Sequence, residues 1–475
     1  MSLHIPFDNS YARLPDRFFA RQGAAPATAP ELLAFNAGLA RELGIGFDED
    51  PDALAAAFSG VALPDGAEPL AQAYAGHQFG GFSPQLGDGR ALLLGEVLAP
   101  NATRYDIQLK GSGRTPFSRN GDGKAWLGPV LREYVVSEAM HALGVPTTRA
   151  LAAVATGDSV MRQAMLPGAV LTRVARSHLR IGTFQYFAVR NDIDALRTLT
   201  DYAIQRHYPQ AKGPTGLLQS VIDAQVKLIP QWMALGFIHG VMNTDNSTIS
   251  GETIDYGPCA FMDDYHPHKV FSSIDQQGRY AFSNQMHIVI WNLAQLASAL
   301  VALAPEAEQD AVVEDYTQRI HAMPAALDAE WLRLLGRKVG IADARPEDKA
   351  MIEKLLDLMA HDGADFTNTF RALAEGTARD QFTNREAFDE WHAEWQQRTA
   401  SEEDPQSLMA SVNPVYIPRN HRIEQMIEAA VEGDLAPFKR LMKVLATPFT
   451  PQDGAEDLTH PPTDDEVVHR TFCGT

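Results

Sequence analysis

The chain contains 475 residues, and its 60 acidic and 40 basic side chains give a formal net charge of −20. This length is too great for one small core and indicates two or more lobes. Because so acidic a surface repels phosphate backbones, the charge argues against nucleic acid as a main partner.

Cysteine content and the N-terminal sequence bear on the location of the protein. The two cysteines, Cys259 and Cys473, are too few for a disulfide-stapled secreted scaffold or a cysteine-rich zinc site. Residues 1–21 contain no basic stretch followed by an apolar one, as a signal peptide would. The longest apolar runs are interrupted by charge or glycine before they could span a membrane. We therefore expect a cytoplasmic protein with no membrane partner.

The predicted elements change in character along the chain. Residues 1–75 form an N-terminal extension with an extended start and a predicted helix over 31–43, where apolar residues recur at helical spacing. Glycine then becomes dense, and residues 104–110 alternate apolar and polar side chains as a half-buried strand does. A helix is predicted over 128–143, where a glycine and a proline follow. Further β-like runs lie at 90–97, 150–154, 159–163 and 169–174.

The second half of the chain is mostly helical from residue 177 onward, apart from an irregular section at 236–285. Residues 447–475 are rich in Pro, Asp and Thr and are expected to form a tail or a loosely docked segment. This order predicts an α+β protein with a small, mixed, β-rich N-lobe at 76–185 and a larger, mainly helical C-lobe at 186–446. Ligands usually bind in the cleft between two such lobes.

Three short motifs in the predicted N-lobe share the pattern Gly-x-Gly followed by a basic residue. Glycine lets backbone N–H groups approach an anion closely, and a neighbouring Arg or Lys adds charge-assisted hydrogen bonds. Three ordinary β-turns with solvated basic residues are the alternative. Their repetition in an acidic chain favours phosphate binding, although none matches a Walker P-loop. The motifs are Gly87-Asp-Gly-Arg90, Gly111-Ser-Gly-Arg114 and Gly121-Asp-Gly-Lys124.

Lys110 ends the strand predicted at 104–110, and a lysine there can reach nucleotide phosphates from a rigid element. Kinases hold such a lysine by pairing it with a glutamate on a helix. The helix predicted at 128–143 offers Glu133 and Glu138, and the apolar stripe of that helix slightly favours Glu138 as the inward-facing one. A strand-end lysine whose amine simply extends into solvent is the alternative.

Arg173 and Arg180 lie near the predicted join of the two lobes. Their planar and permanently charged guanidinium groups suit phosphate binding. Surface ion pairs with the many carboxylates of this chain are the alternative.

The most specific pattern lies at 236–246 and in the Asp-Tyr-Gly string at 255–257. Kinases carry His-Arg-Asp-x-x-x-x-Asn and then Asp-Phe-Gly, in which the Asn and the second Asp hold Mg²⁺. His239 and Asn246 keep the kinase spacing, and Asp255 stands where the second Asp would be.

One position departs from the kinase pattern. Val241 occupies the place of the kinase base and cannot accept a proton, whereas Asp245 lies directly before Asn246. This departure predicts something other than a standard protein kinase. A plain Asx turn at 245–247, with Asp255 as a turn residue, is the alternative.

Several long and unusual strings support a more specific interpretation. They are Tyr74-Ala-Gly-His-Gln-Phe-Gly-Gly-Phe82, Gln85-Leu-Gly-Asp-Gly-Arg90, Gln108-Leu-Lys-Gly-Ser-Gly-Arg-Thr-Pro-Phe-Ser-Arg119, Leu131-Arg-Glu-Tyr134, Ser137-Glu-Ala-Met140, His239-Gly-Val-Met-Asn-Thr-Asp-Asn246 and Asp255-Tyr-Gly257. In these strings, which are spread over nearly the whole chain, the sequence resembles the selenoprotein O family. That family, which includes the bacterial YdiU-type proteins, is a group of kinase-like protein adenylyltransferases.

The resemblance implies a protein-kinase-like bilobal fold that binds ATP in a flipped orientation. AMP then moves to a Ser, Thr or Tyr hydroxyl of a protein substrate, and pyrophosphate leaves. Asp245 resembles the proton acceptor of the family, and Asn246 and Asp255 match its Mg²⁺ ligands, with Mn²⁺ as a second candidate metal. Glu133, rather than Glu138, matches the partner of the lysine. The implied nucleotide contacts are Gly87, Gly89, Arg90, Lys110, Asp122, Gly123, Arg173, Arg180 and Asp255.

Two other functions stay open from the sequence, although ATP is the expected small-molecule partner in each. A conventional phosphotransferase would move the γ-phosphate, and Val241 argues against it. A catalytically silent pseudokinase module would only bind nucleotide. The retained Lys110, Asn246 and Asp255 argue against that, because a pure scaffold needs no complete Mg²⁺ site.

The resemblance also bears on the role of the two cysteines. Eukaryotic members of the family carry selenocysteine near the C-terminus, where this chain has Cys473, and Cys259 lies just after the Asp-Tyr-Gly string. A regulatory disulfide between the two is one hypothesis, and two independent reduced thiols are the other.

Overall fold

The structure is a computed structural model that describes residues 3–471. Its first part contains most of the strands, and the rest is mainly helical. The strands are β1 (Phe19–Arg21), β2 (Glu31–Phe35), β3 (Leu70–Gln72), β4 (Gly76–Gln78), β5 (Gly81–Ser83), β6 (Ala91–Leu98), β7 (Arg104–Lys110), β8 (Ala125–Trp126), β9 (Arg149–Met161), β10 (Met165–Ala175), β11 (Phe237–Ile238) and β12 (Ala260–Phe261).

Eight of these strands form one sheet, in the order β1-β3-β6-β7-β10-β9-β2, with β8 paired to β10 outside that path. Each pair of neighbouring strands is antiparallel. The strands predicted at 90–97 and 104–110 are confirmed as β6 and β7, and the run at 169–174 lies within β10. The separate runs predicted at 150–154 and 159–163 belong to one long strand, β9.

Three helices lie among the strands of the sheet region, and a long series follows it. They are α1 (Ala37–Glu42), α2 (Pro51–Ser59), α3 (Leu127–Ala142), α4 (Ile181–Ala188), α5 (Ile193–His207), α6 (Gly213–Ala234), α7 (Gln285–Val301), α8 (Gln309–Lys338), α9 (Lys349–Asp362), α10 (Phe366–Glu375), α11 (Arg385–Thr399), α12 (Pro405–Val412), α13 (Asn420–Val431) and α14 (Ala436–Leu445).

Helices cover both faces of the sheet, so its central strands are buried on both sides, including the polar side chains of Asp106, Gln108 and Lys110 on β7. On one face, Leu54 and Phe58 of α2 belong to a buried cluster with Leu109 of β7. On the other face, Leu131 of α3 is buried in a cluster with Leu171 of β10 and with many residues of the later helices. The sheet is therefore held between its own N-terminal helices and the helical region.

The helix predicted at 31–43 is wrong over its first half. Residues 31–35 form β2, which pairs with β9, and only residues 37–42 are helical. The Asn36 side chain caps the shortened helix by accepting a hydrogen bond from the Leu39 backbone N–H. The edge of β9 offers unpaired backbone groups to a short apolar segment, and tertiary pairing of this kind overrides local helical spacing.

The helical region has a second core of its own around Trp391, which is fully buried. The described part of the C-terminal segment, 447–471, packs against this region. Leu458 is buried, and the Thr459 carbonyl accepts a hydrogen bond from the buried Arg419 guanidinium (2.9 Å). A sheet-rich region followed by a helical one confirms the mixed α and β composition predicted from the sequence. Within residues 3–471, no helix combines the length and the apolar character that crossing a membrane requires.

Buried ion pairs join the sheet to the helical region. Arg206 of α5 donates to Glu96 of β6 (2.6 Å) and to Asp106 of β7 (2.6 Å), and all three side chains are almost fully buried. Burial alone would raise the pKa of Asp106, but Arg206 and His178 hold that pKa below its usual value. These contacts fix the first helices of the helical region against the strands.

We expect Arg206→Met to lower the free energy of unfolding by about 3–5 kcal/mol, because it leaves two carboxylates buried without their cation. Arg319→Met is the matched control, since Arg319 pairs with Asp315 on the surface of α8. An exposed pair of this type contributes less than about 1 kcal/mol. Urea denaturation of the two variants measures the difference, and similar losses in both would contradict the structural role given to Arg206.

Candidate active site

Asp255 is the centre of a cluster of charges between the sheet and the helical region. Its Oδ1 accepts hydrogen bonds from Lys110 Nζ (2.7 Å) and from Arg173 Nη1 (2.7 Å). Its Oδ2 accepts a hydrogen bond from Arg180 Nη1 (2.7 Å). Three cations therefore converge on one carboxylate, and we call Lys110, Arg173 and Arg180 the cationic cluster.

Three different elements provide these cations. Lys110 is the last residue of β7, Arg173 lies on the neighbouring strand β10, and Arg180 directly precedes α4. The antiparallel register places Gln108 of β7 opposite Arg173, and the Gln108 side chain accepts a hydrogen bond from Arg173 Nη2 (2.7 Å). The pairing of β7 with β10 and the hydrogen bonds to Asp255 set the positions of the three cations in this structure.

Helix α3 contributes a second carboxylate to the cluster. Glu133 accepts hydrogen bonds from Lys110 Nζ (2.5 Å) and from Arg173 Nη1 (3.2 Å). Glu138, which the apolar stripe slightly favoured, instead forms a two-pronged ion pair with Arg149 at the start of β9. The structure thus pairs the lysine with the glutamate in the Arg-Glu-Tyr string.

The electrostatics of the cluster favour an anionic ligand. Burial raises the pKa of Asp255, but the three neighbouring cations outweigh that effect and hold the pKa well below its usual value. Asp255 also has a positive φ of 63°, which is uncommon for a residue other than glycine. The three cations make their short ion pairs with Glu133 and Asp255, and Asp88 lies 4.0 Å from Arg180, within a chain whose net charge is −20.

Asp245 lies beside this cluster, in a single 3₁₀ turn formed by Thr244–Asn246. Its backbone carbonyl accepts a hydrogen bond from Arg180 Nη1 (2.5 Å), the same atom that contacts Asp255. Burial raises the pKa of the Asp245 carboxyl to about 6. Within the described residues, its Oδ1 is buried and has no hydrogen-bond partner.

The β4–β5 hairpin covers the turn that contains Asp245. Its Gln78 side chain donates to Asp245 Oδ2 (3.1 Å), and its His77 backbone N–H donates to the Thr244 hydroxyl (2.7 Å). The hairpin lies so close that a Cβ atom on Gly76 would stand 2.4 Å from Asp245 Oδ1. Only glycine fits at this position, because a real Cβ contact is much longer.

Asn246 and His239, the residues that keep the kinase spacing, each contact a backbone carbonyl. The Asn246 amide donates to the Val241 carbonyl (2.9 Å), which orients its side-chain oxygen away from that carbonyl. His239 Nε2 lies 2.8 Å from the carbonyl oxygen of Ile254, the residue before Asp255.

The donor atoms here suit a hard divalent cation, which prefers carboxylate and amide oxygens. Asn246 supplies an amide oxygen, Asp255 a carboxylate, and Asp245 a buried oxygen with no partner. In residues 3–471, no group of three His, Cys, Asp or Glu side chains is arranged to bind a metal by itself. The residues therefore fit a metal such as Mg²⁺ that takes its remaining ligands from phosphates and water.

Comparison with known proteins decides the family. The family model described as protein adenylyltransferase SelO matches residues 1–446. The protein nucleotidyltransferases YdiU of Ruegeria sp. (strain TM1040) and Roseobacter denitrificans are each 62% identical over 475 residues, with full coverage of both chains. That of Agrobacterium fabrum is 54% identical over 493 residues, covering 99% of this chain and all of the relative.

The chain belongs to the SelO family. It is accordingly a protein nucleotidyltransferase, and the resemblance found in the sequence is confirmed over its whole length.

The first glycine-rich motif of this SelO-family chain lies next to the cationic cluster. Gly87 has a positive φ of 73°, and a Cβ there would overlap the Phe117 ring. Gly89 packs against the backbone of 117–118. The Arg90 carbonyl accepts a hydrogen bond from the Gly111 N–H (2.7 Å), directly after Lys110. The motif thus anchors the loop that follows β7.

The third glycine-rich motif lies further out. Asp122 is exposed and forms a two-pronged ion pair with Arg162. Gly123 pairs with Gly113 through a backbone hydrogen bond (3.0 Å), and a Cβ on Gly123 would clash with that residue. Asp122 and Gly123 therefore pair with residues outside the cationic cluster.

Two residues near Arg180 were missed by the sequence analysis. Asp88 is fully buried, has a pKa raised to about 6 by burial, and lies 4.0 Å from Arg180 Nη2. The Tyr74 ring lies under the Arg180 guanidinium, with 4.7 Å between the guanidinium carbon and the ring centre. Both lie in the strings 74–82 and 85–90, which resemble the SelO family, but no spacing rule distinguishes them from their neighbours.

Cys259 is a free thiol buried behind the site, and burial raises its pKa to about 11. A thiol of this kind is poorly reactive, because the thiolate is the reactive form. Cys473 lies outside the described residues, so the disulfide between the two stays a hypothesis.

We expect Gly76→Ala to reduce the rate of nucleotide transfer by about tenfold to a hundredfold, because the new methyl group displaces the hairpin from Asp245. Gly81→Ala in the same hairpin is the control, since the nearest atom to its added Cβ is at an ordinary 3.5 Å. Initial rates with saturating ATP measure the effect. Equal rates for the two variants would show that the hairpin does not position Asp245.

Proposed function

We propose that this chain transfers AMP from ATP to a Ser, Thr or Tyr hydroxyl of a protein and releases pyrophosphate. The observation that carries the proposal is the convergence of three cations from separate elements on Asp255, beside the unpartnered oxygen of Asp245. A group of buried cations held by separate elements is a suitable site for a triphosphate, above all in a chain that is otherwise strongly acidic.

The depth of the cluster supports a flipped orientation of ATP. Arg173 and Arg180 are almost fully buried, and Lys110 is nearly so. These cations match the β- and γ-phosphates, which carry most of the nucleotide charge. Once the distal phosphates are held there, the α-phosphorus is the reactive centre closest to Asp245. An ordinary kinase orientation would instead direct the γ-phosphate towards the acceptor.

The chemical step then involves one bond made and one bond broken. The acceptor hydroxyl oxygen attacks the α-phosphorus, and the bond from that phosphorus to the oxygen shared with the β-phosphate breaks. Asp245 takes the hydroxyl proton, and the cationic cluster stabilises the negative charge that develops on pyrophosphate. A carboxyl whose pKa is about 6 suits this role, because it is ionised at neutral pH and is a stronger base than an ordinary aspartate.

Asn246 and Asp255 would hold Mg²⁺, with Mn²⁺ as the second candidate. The metal, when bound, neutralises phosphate charge and polarises the phosphorus centre. Asp255 already accepts three hydrogen bonds from cations, so the arriving phosphates and the cationic cluster have to rearrange around it. We assign further contacts with the nucleotide to Gly87, Gly89, Arg90, Asp122 and Gly123.

We further propose a kinase-like arrangement of two lobes, with the cluster in the cleft between them. Residues 76–185 would be the smaller lobe and 186–446 the helical one. Residues 1–75 would be an extension that adds β1, β2 and β3 to the sheet, and 447–475 a C-terminal tail. The support is the position of Lys110 and Glu133 in the sheet region and of Asp245 and Asp255 in the loops that follow α6.

The proposal is tested by offering the protein ATP labelled on either the α- or the γ-phosphate, with Mg²⁺ and a mixture of acceptor proteins. We expect label on protein from the α-position only, and its loss in Asp255→Ala. Asp264→Ala is the matched control, because Asp264 is an exposed carboxylate a short distance further along the chain that pairs with Lys269. This control should label protein at the wild-type rate.

Each other outcome has a definite meaning. Label from the γ-position only would identify a conventional kinase and overturn the proposed orientation of ATP. No label from either position, with ATP still raising the thermal midpoint of the protein, would favour a silent nucleotide-binding module or an acceptor protein missing from the mixture.

A further inference from the structure

Arg279 is a half-buried arginine without a counterion. Its guanidinium lies over the Trp291 ring (4.9 Å to the ring centre) and near the Tyr280 ring (5.7 Å). Within residues 3–471 it forms no ion pair, and its Nε is buried without a hydrogen-bond partner. The neighbouring carboxylate of Asp275 is occupied instead by the backbone N–H groups of residues 279 and 280.

A half-buried arginine without a carboxylate partner is unusual among the described residues of this chain. Carboxylates outnumber basic side chains by 60 to 40, and most buried arginines described above pair with at least one carboxylate. Removing a charge from water costs free energy unless a partner replaces the water. Aromatic rings compensate part of that cost, and they also fix the guanidinium in one place.

Arg279 lies near the 3₁₀ turn that contains Asp245. Tyr280, its neighbour, donates to the Asn243 side-chain oxygen (2.6 Å) and accepts from the Phe79 N–H of the β4–β5 hairpin (3.2 Å). A Cβ on Gly80, at the tip of that hairpin, would lie 3.7 Å from the guanidinium carbon of Arg279. Arg279 therefore lies beside the hairpin that covers Asp245.

An aromatic row continues from Arg279 along the surface. The His77 ring contacts the Trp291 ring edge-on (5.1 Å between centres), and the Phe82 ring lies 4.7 Å from His77. Phe82 is 38% exposed, which is high for so large an apolar side chain. We call His77, Phe82 and Trp291 the aromatic row. Aromatic side chains beside an arginine are the composition typical of the central part of protein interfaces.

We propose that Arg279 binds an Asp or Glu side chain of the acceptor protein, close to the hydroxyl that receives AMP, while the aromatic row packs against the same segment. The inference rests on the proposed function, since it assigns the acceptor-binding surface of that same site. The distal phosphates of ATP are not its ligand, because the cationic cluster provides for them on Lys110, Arg173 and Arg180. Charge complementarity favours an acidic partner segment, and the planar guanidinium suits a carboxylate.

The test uses the full chain and hydroxyl peptides that carry a fluorescent label. In one set, Glu is fixed in turn at each position flanking a Tyr, Ser or Thr, and in the matched set Gln replaces Glu. Fluorescence anisotropy measures binding in the presence of Mg²⁺ and a non-hydrolysable ATP analogue. We expect wild-type protein to bind the best Glu peptide about tenfold more tightly than its Gln counterpart, as one charge-assisted hydrogen bond provides.

Variants of Arg279 separate the charge from a general role in folding. Arg279→Gln should bind the Glu and Gln peptides equally, Arg279→Lys should keep part of the preference, and Arg279→Glu should prefer peptides with Lys at that position. Arg333→Gln, which removes an arginine from an exposed pair with Glu330, should behave as wild type. Wild type without any preference for Glu, or a preference that survives in Arg279→Gln, would overturn the inference.

The result of the peptide-binding test does not depend on which phosphate group the protein transfers. Peptide binding needs no turnover, and α- or γ-labelled ATP with the same peptides reports separately which phosphate moves. A preference for Glu together with γ-label would keep the acceptor surface and reject AMP transfer, whereas α-label without any preference would do the reverse.

Discussion

Asp255 accepts hydrogen bonds from three cations that come from three different parts of the fold, and the functional centre depends on this convergence. The antiparallel pairing of β7 with β10 sets Lys110 near Arg173, and the packing of α3 on the sheet brings in Glu133. Arg180, at the start of α4, links the same carboxylate to the turn that contains Asp245. The position of the Asp255 side chain therefore depends on the sheet, on the packing of α3 and on the loop before α4.

In the proposed function, the cluster would also let so acidic a protein bind a polyanion. A net charge of −20 repels phosphates at a distance, so binding has to come from local positive charge in a place that excludes water. The buried cations of the cluster supply it. The β4–β5 hairpin adds a second constraint, because it covers Asp245 from the opposite side and leaves one carboxylate oxygen without a partner. The proposed phosphate site and the proposed acceptor base are thus adjacent but separately formed.

Elements with a strong local pattern could be predicted from the sequence. The alternation of 104–110 and the stop signals after 128–143 gave β7 and α3 to within about two residues. Residues 31–35 could not be predicted, because their apolar spacing is compatible with a helix and only the free edge of β9 makes them a strand. Spacing likewise slightly favoured Glu138 over Glu133, because it does not show that Arg149 pairs with Glu138. Asp88, Tyr74 and Arg279 became notable only through their distant neighbours.

The most direct test of the account is a structure of the protein with Mg²⁺ and a non-hydrolysable ATP analogue. We predict that oxygens of the β- and γ-phosphates lie within hydrogen-bond distance of Lys110, Arg173 and Arg180, with the α-phosphate beside Asp245. An adenine ring in the cationic cluster, with the γ-phosphate beside Asp245, would contradict the central claim.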